Sequence, residues 1–457
     1  MRRVCTALAW RAPAVSRACG SRHDALGFAS LPHAVALHVF SFLPADARAR
    51  AAVVCRAWRA AVAERSLWTR LDLSPASGIK QPASNTVLRG AAALARGRLE
   101  VLVLDDCDAT QDVRLEVVAA NAGSLRELSI RFDDDKVLRA GSVQELLLAA
   151  PQLQLFQADT AASVADAIRM LRNEAPFGAL RLRSLDVEHV TADAINEASV
   201  LDLAAAMPRH ASLSELMLKD IPLNTPAALD AVTAAALACR LCGLVFTGCS
   251  LSPASVPALA RVIRDGALKS LHIDNERVQL LDEPAAVQLA GAIAASRTLT
   301  HVVLEDLRFW DDPAAAAAVV HALMGHPSVR LLGLNHNIAP DEANAGAVLA
   351  TLVAANSPAL LQLELQACNL GDEGLGPLMD ALPRNTHLRH LERYCTGMSD
   401  DFARNRFLPA VRANTSLRKL AASEWWGGYE DGVPPPEVLE AEALVAARAP
   451  AADSDVM

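Results

Sequence analysis

The spacing LxxLxL returns along this chain at a nearly constant interval, and that interval dictates what the chain can fold into. Twelve copies run from Leu99-Leu102-Leu104 through Leu213-Leu216-Leu218 and Leu360-Leu363-Leu365 to Leu417-Leu420-Ala422, one about every 29 residues. Within the copy at Leu360, Leu363 and Leu365 alternate as a strand with one buried face would. Leu375, Leu378, Met379 and Leu382 then follow at helical spacing on one face. A single strand, turn and helix cannot bury its own apolar side, so neighbouring units must stack and share a core. At 457 residues the chain is too long for one ordinary globular core and well suited to such a stack. Its hydrophobic fraction of 52% is mostly Ala and Leu, with 4% aromatics, so the core must consist of many thin layers.

This is the signature of leucine-rich repeats, and the expected fold is an α/β leucine-rich-repeat horseshoe with parallel strands inside and helices outside. Three residues past each strand's last apolar position, a Cys or Asn is expected to bond the turning backbone; Cys107, Cys249, Asn337 and Cys368 hold that place. Asn121, Asn356, Asn385 and Asn414 stand where a left-handed residue would close each helix. Arg393 occupies an apolar position of the eleventh copy, while Ala158 and Ala422 are undersized in the third and twelfth. Cys239, Cys242 and Cys249 have zinc-like spacing, but no second pair accompanies them and the repeat already accounts for Cys249. No metal and no cofactor are expected.

Strand alternation also places side chains on the inner curve. Those positions carry Asp105, Glu127, Asp159, Asp186, Glu188, Glu215, Asp274, Glu305, Glu364 and Glu392, against only Arg131, Lys219 and Lys419. Two readings of this acidic face stand. In one, the acids simply keep exposed parallel strands solvated. In the other, they form a trough that attracts a target protein through a basic surface or segment.

The net charge of -9 argues against a nucleic-acid partner, which would require a basic face. No run of 18 apolar residues exists, so no membrane partner is expected. There is no GxxxxGK[ST], HExxH or GxSxG motif, and the twelve His are scattered. Activation of a GTPase would need an Arg or Asn presented to the nucleotide, and no residue is singled out for that role. A non-catalytic binding protein is the economical reading. Residues 1–27 read as a basic tail, with five Arg and no acid in the first 23 positions; a mitochondrial transit peptide has the same composition. The nine Cys suit a reducing compartment. Residues 427–457 read as a disordered or capping tail holding one short helix.

Ahead of the repeats, residues 28–70 hold two apolar runs, Leu31 to Leu43 and Val53 to Trp68. Pro32 suits a first helical turn, Pro44 ends that helix, and Asp46 is placed to cap a second helix running through Val54-Cys55-Arg56-Ala57-Trp58. A third then reaches Leu67-Trp68. Three helices this short hold more apolar surface than they can bury alone.

The stretch resembles an F-box. It has the opening Leu31-Pro32, the run Val39-Phe40-Ser41-Phe42-Leu43, then Val54-Cys55-Arg56-Ala57-Trp58 and a final Leu67-Trp68. Ala34 replaces the acid common two residues after the opening pair. The resemblance implies docking on a Skp-type adaptor of a cullin scaffold through Leu31, Pro32, Leu37, Phe40, Leu43, Val54 and Trp58, while repeats 71–426 hold a target of the ubiquitin ligase. Cytoplasm or nucleus is the implied location. A repeat scaffold or inhibitor that no longer engages a ligase is the alternative that Ala34 permits. Trp68, Leu71 and Leu73 themselves show the repeat spacing, so the two parts are expected to join without a linker.

Overall fold

A computed structural model describes residues 32–43, 45–77, 82–132, 137–189, 195–275, 278–393, 397–422 and 434–448. The chain divides into two compact units, Met1–Asp186 and Val187–Met457. Each is built from stacked strand-and-helix repeats.

The first unit opens with helices α1 (His33–Ser41), α2 (Ala45–Ala51) and α3 (Arg56–Val62), then a 3-10 turn Arg65–Trp68. Asp46 falls inside α2 rather than capping it, and the Val54 stretch is not helical: residues 52–54 form a turn. Cys55 is the real cap, its Sγ accepting the Trp58 N–H at 3.4 Å. The chain then enters β1 (Arg70–Asp72), α4 (Asn85–Ala95), β2 (Val101–Val103), α5 (Gln111–Ala120), β3 (Glu127–Ile130), β4 (Leu138–Arg139), α6 (Ala140–Ala149), β5 (Leu155–Ala162) and α7 (Val164–Leu171). Strands β1, β2, β3 and β5 are parallel neighbours in that order, and β4 pairs beside the end of β5. Their register aligns Leu71, Leu102, Leu128 and Phe156, all buried. That row is the second apolar position of the LxxLxL spacing. Leu71 and Leu73 are buried with Trp68, so the three-helix segment runs into the first repeat through a strand that both share.

Strand β6 (Leu180–Glu188) reaches the boundary of the second unit. There follow α8 (Glu197–Ala206), β7 (Glu215–Lys219), α9 (Pro226–Cys239), β8 (Gly243–Thr247), α10 (Val256–Asp265), β9 (Ser270–Asp274), α11 (Glu283–Ala295), β10 (His301–Glu305), α12 (Pro313–Leu323), β11 (Leu331–Gly333), α13 (Glu342–Ala354), β12 (Gln362–Glu364), α14 (Gly371–Ala381) and β13 (His390–Glu392). A broken helix, α15 (Asp400–Phe402) and α16 (Leu408–Ala413), leads to β14 (Lys419–Ala421) and α17 (Pro436–Ala446). Strands β7 to β14 pair in parallel in chain order, with Leu216, Leu244, Leu271, Val302, Leu332, Leu363, Leu391 and Leu420 in one register. The helices lie on the buried side of the strands, where the leucines point.

The turns follow the sequence expectation in chemistry. Cys107 Sγ donates to the Ala83 carbonyl, Cys249 to Leu218 and Cys368 to Leu334, while Asn337 Nδ2 donates to Leu304. Each side chain therefore ties a turn to the preceding repeat. Burial raises the Cys368 thiol to about 12.

The helix ends differ from expectation. Only Asn356 is left-handed, with φ 51; Asn121, Asn385 and Asn414 have φ -118, -76 and -70. Their side chains do the closing instead. Asn385 Oδ1 accepts the N–H of His387 and Leu388, and Asn414 Oδ1 accepts those of Ser416 and Leu417. His326 acts the same way, its Nδ1 accepting from Ser328 and Val329.

Arg393 keeps its apolar position: it is buried, with its guanidinium 4.5 Å from the Phe407 ring centroid. Part of the expected tail, residues 434–448, is ordered as a cap. Val438, Ala441 and Val445 of α17 are buried, and Glu437 and Glu440 pair with Arg404 and Arg412. The basic tail 1–27, Leu31, Pro44 and residues 423–433 lie outside the described residues.

Candidate functional site

Two surfaces merit attention, one on the three-helix segment and one on the strands of the second unit. On α1 the apolar residues split between two faces. Ala36 and Phe40 point inward; Phe40 is 1% exposed and meets Trp58 edge-to-face with centroids 5.3 Å apart. Phe40 is thus a core residue of the segment, not a docking residue, because its side of the helix is the one that packs on α3. Pro32, Val35, Val39 and Phe42 follow at intervals of three and four on the adjoining face, and all are exposed.

The turn after α2 adds Val53 and Val54, 69% and 61% exposed. Of the expected docking residues, Pro32 and Val54 are therefore open to solvent, and Leu37, Leu43 and Trp58 are half-buried. Val35, Val39, Phe42 and Val53 were not among those residues and are exposed as well. Phe42, 73% exposed, meets the His38 ring edge-on with centroids 4.9 Å apart. Covering one such side chain is worth roughly 1.5–3 kcal/mol.

A polar clamp lies behind this ridge. Arg48 is buried; it donates to the Leu43 carbonyl at 2.8 Å and to that of Leu67, and its guanidinium lies 5.2 Å from the Trp68 ring centroid. Trp68 Nε1 donates to Val62 O at 2.7 Å. Together these bonds pin the loop after α1, helix α3 and the 3-10 turn to one another, so the exposed ridge stands on a fixed base. Burial lowers the Arg48 pKa from its ordinary value. Nothing in the spacing of the sequence marks Arg48 for this role.

The acidic strand positions divide just as sharply. In the first unit, Asp105 Oδ1 accepts from Ser129 Oγ and the Arg131 N–H, and Oδ2 accepts from the Arg131 guanidinium at 2.8 and 3.1 Å. Its oxygens are already occupied. Asp159 is only 7% exposed and accepts from the Phe132 N–H, so it is a packed carboxylate rather than a face residue. Asp186 and Glu188 lie half-buried on β6, and Glu215 on β7 leans across Gly243.

In the second unit, Asp274, Glu305, Glu364 and Glu392 are half-buried on the outward strand face. Glu305 Oε2 is 3.2 Å from His272 Nε2, and His336 Nε2 is 3.6 Å from Oε1. The hydrogen bond from His272 holds the Glu305 carboxyl below its ordinary pKa. Glu364 accepts from Gln362 at 2.6 Å and Asn335 at 3.3 Å; burial, opposed in part by those bonds, pushes its pKa up, with the charges of Glu392 and Glu305 adding to the rise. Among the described residues no group of three or more His, Cys, Asp or Glu could hold a metal ion, and no helix is long and apolar enough to cross a membrane.

Comparison with known proteins bears on the first surface. Residues 28–74 match the F-box-like family model. A stretch of 63 residues is 41% identical to F-box only protein 33 of Mus musculus. That stretch is 14% of this chain and spans only 11% of the length of that relative. Among solved structures, the chain is similar to one from the yeast Rad7 and Elc1 complex, at 13% identity and TM-score 0.40, covering 89% of this chain and 91% of that one. It is also similar to the leucine-rich repeat-containing protein LegL7 of Legionella pneumophila, at 17% identity and TM-score 0.39, covering 64% and 91%. At those scores the fold assignment rests on the strand register and the repeat, not on these neighbours.

Proposed function

We propose, from the premise that the chain is an F-box protein with leucine-rich repeats, that it is the substrate-recognition subunit of a Skp–cullin–F-box ubiquitin ligase. The observation that carries this reading is the exposed ridge of Val35, Val39, Phe42, Val53 and Val54 within the F-box-like segment. Exposed apolar side chains on a base fixed by Arg48 and Trp68 suit burial against an adaptor far better than solvation. The repeats then hold a target protein, whose lysine is brought near a charged conjugating enzyme. The chain itself would supply proximity, not chemistry. Assembly with a cullin ligase places it in the cytoplasm or nucleus.

Co-purification of the full chain with a Skp-type adaptor tests the reading. Loss of the complex in Phe42→Ala with Val54→Ala, at unchanged thermal stability, is the expected result. Failure of the parent chain to bind any adaptor overturns it and favours the second reading, a repeat scaffold or inhibitor outside a ligase. One observation speaks for that second reading: α1 has no acid in its first turn, where Ala34 is exposed.

A further inference from the structure

The acidic strand face of the second unit contains a feature that solvation alone does not explain. Strand pairing places Glu364 directly opposite Glu392, and Gln362 directly opposite His390. Neighbouring strands lie about 4.8 Å apart, so these four side chains form one compact polar square. His390 is 8% exposed, and its Nε2 has no hydrogen-bond partner among the described residues. That nitrogen faces Glu392 Oε2 at 3.6 Å, too far for a hydrogen bond.

A buried ring nitrogen is costly to leave without a hydrogen-bond partner. Beside the square, Gly333 leaves its strand position empty, and the Glu364 carboxylate leans over it: a Cβ there would come within 3.2 Å of Oε2 and 3.1 Å of Val303. Glu364 thus lies between the charges of Glu305 and Glu392, which add to the rise in pKa that its burial causes first. No arginine or lysine forms an ion pair with Glu364 or Glu392 among the described residues. The charged groups around the square are Glu305 with His272 and His336 on one side, and Lys419, opposite His390 across the strand pair, on the other.

We propose that this square is a socket for an arginine side chain of the target protein, Glu364 and Glu392 receiving the guanidinium and His390 Nε2 offering it a further acceptor. The inference rests on the reading that the repeats bind a target. Arginine fits better than lysine because its planar fork can donate to separate acceptors at once, whereas an ammonium is a compact, strongly hydrated point charge. Docking a cation also offsets the charges of Glu392 and Glu305, which add to the rise that burial gives the Glu364 carboxyl.

The test uses the full chain and three fluorescein-labelled glycine–serine peptides that differ only in carrying two arginines, two lysines or two glutamates. Fluorescence anisotropy should show the arginine peptide binding, about tenfold tighter than the lysine peptide. Glu364→Gln with Glu392→Gln should weaken it about tenfold or more. Glu283→Gln with Glu373→Gln, which removes the same charge from exposed helix positions, should leave it within about twofold. Thermal melts establish that both double variants are folded.

Equal binding of arginine and lysine peptides, equal loss in the two double variants, or no binding of the arginine peptide would each overturn the socket. Adaptor binding is measured on the same samples. A chain that binds adaptor but no arginine peptide loses the socket and keeps the ligase reading, and the reverse result keeps the socket and discards the ligase.

Discussion

Phe40 in α1 and Phe42, the C-cap of that helix, sit two residues apart and have opposite fates: Phe40 is 1% exposed against Trp58, and Phe42 is 73% exposed. Their substitutions should separate folding from docking. Phe40→Ala empties a packed site and should cost about 3–5 kcal/mol, enough to melt a segment of three short helices. Phe42→Ala should change thermal stability by about 0.5 kcal/mol or less and abolish adaptor capture. Thermal denaturation and pull-down on the two variants decide it; comparable stability loss in both would contradict the assignment.

Gly346 on α13 and Gly374 on α14 bring two neighbouring helices into backbone contact. A Cβ built on Gly346 would fall on the Gly374 carbonyl oxygen, and one on Gly374 would lie 2.7 Å from the Glu342 carbonyl oxygen. Neither obstacle is a flexible side chain that could swing away. Gly346→Ala should therefore force the helices apart and destabilise the chain by about 1–3 kcal/mol, even though alanine is the better helix former. Gly291→Ala on α11, where a Cβ meets nothing within 4 Å, should be neutral or stabilising by up to about 1 kcal/mol. Urea melts of the two variants should move the midpoint in opposite directions.

Cys368 and Cys55 should react very differently with thiol reagents. The Cys368 thiol is buried, donates to the Leu334 carbonyl at 3.0 Å and is pushed up to about 12, so its nucleophilic thiolate is scarce near neutral pH. Cys55 is half-buried at the start of α3. Iodoacetamide labelling followed by peptide mass analysis should modify Cys55 in the folded chain and Cys368 only after denaturation. Labelling of Cys368 at the Cys55 rate would show that the repeat around it opens locally.

The repeat was legible because a strand alternates with period two and any slip would expose every leucine at once. The row Leu216 to Leu420 is the LxxLxL spacing read directly onto the sheet. The first helix was less legible. Apolar residues at 35, 39, 40, 42 and 43 surround α1 on several sides, so spacing alone does not say whether Phe40 or Phe42 faces inward. Which one does is fixed by Trp58, a contact 18 residues away. The acids posed a similar difficulty. Alternation put both Asp105 and Glu364 on the inner curve, yet Arg131, just past the end of neighbouring β3, saturates the first, and among the described residues no such cation stands beside the second. Asn385 and Asn414 were correctly placed at helix ends but work through their side chains, which backbone rules for left-handed residues do not anticipate.

His390 should make the second unit sensitive to mild acid. Burial first, and then the charge of Lys419, lower its pKa from 6.5 to about 4 in the folded chain. Unfolded, the imidazole titrates near its ordinary value. Between those two values the unfolded state binds a proton that the folded state refuses, so stability is lost as pH falls from about 6.5 towards 4. The full shift would correspond to about 3 kcal/mol, and screening at the edge of the strand face reduces this to roughly 1–2 kcal/mol. His390→Gln removes the titration, so its urea midpoint should fall less steeply across that window than the parent's. Parallel pH profiles for the two proteins would mean that His390 is solvated in the folded state, and the buried, unfilled acceptor proposed for arginine would go with it.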